Sequence, residues 1–311
     1  MDQIADFDSF YTLKLAPHID QLRAECKTAD NWGIVGLVSF LMGIVILFFG
    51  LQLKLLKGYE GFLFIVMVLP IVSLVKYAQK NDIFKRDFKE FIIKEIINNI
   101  SPGIIYKPDE SITEREYKAS SLFRRYFDYF DGSDYMAGVI NNVSFHCSEI
   151  CTQYDDVNRQ RTIFKGLFFV VKINDRFTGG TYVWARGEEQ LPATISDERY
   201  LLMPMPRIHD IRFQDKDFEH YFRVCTTYES QAMEILSPAF RQQMINLRQH
   251  SRSLAAFSFV AGHCYFAFPA SQDLLEPSDY DPGDKEEIRK YYVNVALILG
   301  IIKQLGLSHI V

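Results

Sequence analysis

The sequence predicts an α+β protein with an N-terminal transmembrane helical hairpin, followed by a mixed domain whose mainly antiparallel sheet is covered by helices. Two apolar runs lie close together, at about 32–53 and 59–78. From Ala137 onward the pattern changes to short runs rich in aromatic and β-branched residues, and near the C-terminal end it returns to helical spacing.

Residues 1–31 read as an amphipathic lead-in. Phe7, Phe10, Tyr11 and Leu13 stand among acids, and Pro17 can open a helix with Ile19, Leu22 and Cys26 on one face. A surface helix bound to lipid needs a basic polar face, which is missing here, so this stretch is expected to pack against protein. The first apolar run, Trp32 to Leu53, has no charged residue. At about 1.5 Å per residue it is long enough for a hydrocarbon core of about 30 Å. The second is charge-free only from Gly61 to Val75, but Tyr59 and Tyr77 suit the interfaces and Lys76 can snorkel. Gly36, Gly43 and Gly50 recur every seven residues and make a stripe for close helix packing. Their partner is the other span of the same hairpin or, alternatively, a second subunit. Apart from Glu60 and Lys76 at the ends of the second, neither run carries Asp, Glu, Lys, Arg or His, which argues against a pump or transporter.

Basic residues set the expected orientation. Lys76, Lys80, Lys85, Arg86, Lys89 and Lys94 follow the second run and Arg23 and Lys27 precede the first, whereas the connector has only Lys54 and Lys57. Both termini are therefore expected in the cytoplasm of a bacterial cell, at the inner membrane, with residues 79–311 forming the cytoplasmic domain. That domain begins with a helix continuing the second span to about Ile100, ended by Ser101, Pro102 and Gly103. A further helix opens at Ser111 or Thr113, with Glu114 or Glu116 completing a cap, and runs to about Phe127 before a polar turn at Asp131, Gly132 and Ser133.

Strands are expected at Val139–Thr152, Thr162–Ile173, Thr181–Ala185, Ile208–Phe213, Phe218–Thr227, Phe257–Val260 and Cys264–Phe268. Asn174, Asp175, Gly179 and Gly180 suggest a hairpin between the second and third of these, and Ala261–Gly262 a tight one between the last two. A helix at about Pro238–Gln249 carries Phe240, Met244 and Leu247 on one side. The last helix has Asp284 and Glu287 as a capping box, an apolar stripe through Ile288, Tyr291, Val295, Ile298 and Ile302, and Gly306 as its stop.

Composition narrows the function classes. A net charge of −5 and a pI of about 5.8 provide no basic field for nucleic acid. The five cysteines are odd in number and sparse, as suits unpaired thiols in a reducing compartment. The common phosphate-cradling, dinucleotide, nucleophile-elbow and zinc-protease motifs are absent, and no cofactor is expected.

The run Phe164, Lys165, Gly166, Leu167, Phe168, followed by Phe177, Gly179 and Thr181, resembles the FKGxF and FxGxT signature of a bacterial family of two-pass membrane proteins labelled only as a domain of unknown function. Phe218, Phe222 and Val224, then Leu236, Ser237 and Pro238, then Phe257, Phe259 and Tyr265, and finally Leu274, Glu276 and Pro277 extend the resemblance. It implies the membrane topology and brings no catalytic residues.

Two constellations merit weighing for chemistry. His146, Cys147 and Cys151, with His263 and Cys264, offer zinc-type ligands, although no Cys-x-x-Cys knuckle is present and buried packing explains free cysteines well. His209, Asp210, Asp217 and His220, with Asp215 and Glu219 nearby, can supply general acid/base groups or a metal site, against the simpler reading of a solvated turn. The sequence favours a non-enzymatic, membrane-anchored binding or scaffold protein, held in the lipid bilayer, whose cytoplasmic domain binds another protein or lipid at the inner membrane. The alternatives are a membrane-tethered hydrolase or metal-dependent enzyme, and a channel-like homo-oligomer joined through the glycine stripe.

Overall fold

The computed structural model describes residues 7–52, 60–123, 125–157, 159–186, 208–251, 255–277, 281–307 and 310–311; side chains 49–52, 60–67, 250 and 251 are outside that description. The chain forms two compact units, Met1–Ile96 with Leu275–Tyr292, and Ile97–Leu274 with Val293–Val311.

The first unit is helical. α1 (Phe7–Phe10) passes through a π-type turn, Tyr11–Leu15, into α2 (Ala16–Gln52). α3 (Glu60–Phe88) continues through a second π-type turn, Lys89–Ile93, into α4 (Lys94–Ile100), which enters the second unit. α2 and α3 lie side by side and antiparallel: a Cβ at Gly33 would stand 3.2 Å from the Tyr77 ring, and one at Gly36 3.3 Å from Ser73 Cβ. Among the described residues one helix, Phe7–Phe48, is long and apolar enough to cross a bilayer. The expected connector, with the last residue of the first expected span and the first of the second, falls on residues 53–59, outside the described ones.

The lead-in packs against protein, as its polar face suggests. Phe7, Leu15, Ile19 and Leu22 are buried, and the Phe7 ring meets Tyr292 edge to face at 5.5 Å. Polar ties flank this contact. Asp8 pairs with Lys285 at 3.0 Å, Tyr11 Oη donates to Gly283 O at 2.8 Å, and Arg23 grips Asp281 through two bonds of 2.8 and 2.7 Å. Lys89, almost fully buried, donates to Glu276 at 2.5 Å.

Among the described residues, the second unit is built on one antiparallel sheet of nine strands: β1 (Ile105–Lys107), β2 (Tyr129–Ile140), β3 (Val143–Asp156), β4 (Arg159–Lys172), β5 (Thr181–Ala185), β6 (His209–Ile211), β7 (Phe222–Thr226), β8 (Ala256–Val260) and β9 (His263–Pro269). Their order is β1-β2-β3-β4-β9-β8-β5-β7-β6. The helices are α5 (Glu114–Ala119), α6 (Lys216–Tyr221), α7 (Glu229–Ile235), α8 (Pro238–Ser251) and α9 (Lys285–Leu305), the last shared with the first unit. One sheet face carries Phe168, Tyr265 and Trp184 under the buried Tyr117 and Phe123. The other carries Phe169 stacked on Phe266 at 4.7 Å, and Phe259, which meets Phe240 of α8 edge to face.

Local chemistry explains where the sequence expectations hold. Thr113 and Glu116 form a complete capping box on α5. Ala261 and Gly262, at φ 49° and 72°, make the two-residue turn between β8 and β9.

Several expectations need correction. The run Val139–Thr152 is two strands, because Asn141 and Asn142 take φ of 51° and 65° and close a tight hairpin between β2 and β3. Asp131, Gly132 and Ser133 belong to β2, and α5 ends at Ala119. β4 and β5 do not form a hairpin, since β9 and β8 stand between them. The run Phe218–Thr227 splits into α6 and β7, because Asp215 caps a helix by accepting from Phe218 N–H at 3.1 Å. At α9, Asp284 Oδ1 accepts from Glu286 and Glu287 N–H, but its own N–H goes to Asp281 O and Glu287 reaches Lys290, so only half of the expected box forms.

Candidate functional site

His209 and Asp210 lie on β6, at one end of the sheet order, and Asp217 and His220 on α6. Asp210 takes two bonds from Arg223, at 3.1 and 2.9 Å, and one from Cys225 Sγ at 2.6 Å. The Arg223 guanidinium foremost, with the thiol, holds this carboxyl below the usual range. Asp215 pairs with Arg241 at 3.0 Å beyond its capping role, and Glu219 accepts Phe213 N–H at 2.7 Å. Asp217 is exposed in the first turn of α6, and His220 lies edge-on to Tyr221. Asp210, Asp215 and Glu219 thus tie neighbouring backbone and side chains together.

Strand pleating separates the imidazoles from the thiols. Cys147 shares a cross-strand row with Phe169 and Phe266, and Cys264 with Val171 and Phe145. His146 stands in the row of Val170 and Tyr265, and His263 lies two residues from Tyr265, so both point to the opposite face. Burial pushes the Cys147 and Cys264 thiols well above their usual range. His146 Nε2 donates to Glu116 Oε1 at 2.8 Å. Although burial raises the Glu116 carboxyl, bonds from Thr113 and His146 bring it below its ordinary value. Among the described residues no three His, Cys, Asp or Glu side chains converge as a metal site.

Of the glycine stripe, Gly36 packs on Ser73 of α3, Gly43 is buried, and the surroundings of Gly50 lie outside the described residues.

The structure adds a small cleft that residue types alone did not reveal, of about 40 Å³, across β2, β3 and β4. Asp131, Cys151 and Lys165 form one cross-strand row within it, and Glu149 lies in the next row toward Phe268. Lys165 Nζ pairs with Asp273 at 3.0 Å, and the buried Glu149 accepts Leu274 N–H at 2.9 Å. Gly166 explains why the motif needs glycine after the lysine. Its φ is +147°, and a Cβ there would stand 2.1 Å from Phe268 O, where β9 crosses and Ala270 N–H reaches Lys165 O. The second motif is also a place of close approach. A Cβ at Gly179 would meet Tyr228 at 2.6 Å, its N–H donates to Gln231, and Thr181 Oγ1 bonds Thr226 Oγ1 at 2.9 Å.

Neither reactive group of the cleft is activated. Burial raises the Cys151 thiol, which keeps it protonated at neutral pH, and the bond to Asp273 raises Lys165, which keeps it charged. The cleft offers fixed charges and hydrogen-bond groups, a chemistry of binding. No local pattern marks it, because Asp131 on β2 and Lys165 on β4 come into one row only through Cys151 on the strand between them, and a one-strand reading of 139–152 left β2 and β3 unpaired.

No curated protein matches the chain. A solved structure, the crystal structure of the mycobacterial trehalose monomycolate transport factor A, TtfA, aligns over 67% of this chain and 94% of its own, with 10% identity and a TM-score of 0.32. A family model described as "Protein of unknown function (DUF3137)" matches residues 162–307, so that just under half of the chain corresponds to a domain of unknown function.

Proposed function

We propose that this chain is a two-pass protein of the bacterial inner membrane, with both termini cytoplasmic, whose sheet domain binds a protein partner at the membrane surface. The supporting observation is apolar surface left uncovered on paired helices. On α2, Ile34, Leu37 and Met42 are 60%, 61% and 59% exposed, and on α3, Ile71 and Leu74 are 60% and 65% exposed. In water such a band carries a cost of about 25 cal/mol per Å² of apolar area, which a hydrocarbon surround removes. The excess of Lys and Arg at the ends of these helices over the connector supports the orientation. The binding role draws support from side chains engaged in structural pairs and from a cleft without an activated nucleophile.

A cysteine placed at Gly58 tests the topology. It should react with an impermeant thiol reagent once the outer barrier is opened, while a cysteine added after Val311 stays protected. Protection at residue 58 with labelling at the C-terminal end overturns this reading.

A further inference from the structure

The basic residues flanking the apolar helices divide into two groups according to distance from the apolar band. Those farther away are committed to carboxylates: Arg23 to Asp281, Lys85 and Lys89 to Glu276, Arg86 to Asp87, and Lys94 to Glu90. Lys27, exposed on α2, has no ion pair among the described residues and influences Asp281 only through its charge, but it is a single lysine. Lys76 and Lys80 differ. They follow directly on the exposed Leu74 and Val75, and among the described residues neither has a carboxylate within ion-pair distance. Four residues apart on α3, they occupy one helix face about 6 Å apart along the axis. Tyr77, half-buried against Gly33, marks the same level with an aromatic ring of the kind found at headgroup depth. The exposed acids in this zone are Asp30 and Asp82.

We infer that Lys76 and Lys80 form a docking site for the phosphate of an anionic phospholipid, and that Lys85, Arg86 and Lys89 have a structural role and take no part in it. This rests on the membrane reading above. A flexible lysine stem can carry its ammonium to a phosphate at the edge of the apolar band, and two such groups on one face can hold that phosphate from both sides. Asp30 and Asp82 cancel much of the long-range field, so recognition is a short-range contact.

The test uses the full chain in phosphatidylcholine vesicles containing a minor fraction of phosphatidylglycerol, with retained lipid counted by native mass spectrometry. Wild type should enrich phosphatidylglycerol. At about fivefold per lysine, Lys76→Gln with Lys80→Gln should lower that preference roughly 25-fold. Lys76→Arg with Lys80→Arg should keep it, and Lys85→Gln with Arg86→Gln should leave it unchanged. An undiminished preference in the Lys76/Lys80 glutamine variant overturns the site, as does an equal loss in the Lys85/Arg86 variant. Release of wild type from the vesicles by alkaline carbonate instead overturns the membrane reading, and this site with it.

Discussion

The two units solve the same problem of apolar surface in opposite ways. In the sheet unit Phe168, Phe169 and Phe266 are 0% exposed, held between helices and neighbouring strands. On the helix pair only the line facing the partner helix is small and covered, at Gly33 and Gly36, while Leu37 and Phe40 on the other sides stay exposed. A closed core needs many sequence-distant contacts, whereas a helix pair placed in lipid, as proposed above, would need only one close seam and an apolar exterior. Mutations should therefore be felt unequally.

The largest contrast is expected between Phe169→Ala and Leu37→Ala. The first opens a void beside Phe266 and Phe268 and should cost about 3–5 kcal/mol of sheet stability. The second should change unfolding by no more than about 0.5 kcal/mol. Denaturant unfolding in detergent, followed by aromatic fluorescence, checks both, and equal effects would dissolve the distinction. Gly166→Ala comes next. Backbone strain at φ +147° and the encounter with Phe268 O should together cost about 3 kcal/mol, read in the same assay, with membrane insertion unaffected.

The smallest effect concerns the polar ties of the helical unit. The Asp281 carboxyl is held down to about 2, chiefly by its bonds from Arg23 and then by Gly283 N–H. A lowered folded value means stability that is fully present above the ordinary carboxylate range and lost as pH falls through about 2. Both side chains are half exposed, so screening keeps the contribution small. Arg23→Gln should speed amide exchange in residues 7–30 modestly at neutral pH, and the difference from wild type should vanish in strong acid. A difference that persists there would show that Arg23 acts through packing.

Periodic patterns translated directly wherever one local rule sufficed. The apolar helix from Trp32, the capping box at Thr113, β5 at Thr181–Ala185, the tight turn at Ala261–Gly262 and α8 from Pro238 follow from residues close in sequence. The failures come where two local rules compete. Asn141 and Asn142 sit inside a β-rich run and read as strand until a left-handed turn is allowed at both positions. Phe218 and Phe222 are aromatic enough for a strand, but the Asp215 cap makes the first of them helical. For the candidate site, residue types pointed to Cys151 among other thiols and to Lys165 only as a motif letter, because neither reveals its cross-strand neighbour.

The sequence by itself determined the α+β class, the apolar N-terminal helix, and the caps and turns, because each depends on side chains within a few positions of one another. Tertiary structure alone decided the strand order, with β9 and β8 inserted between β4 and β5, since long-range pairing is chosen by the packing of both faces together. It also brought Asp131, Cys151 and Lys165 into one row, because a pleated sheet aligns residues by register, which sequence distance does not encode.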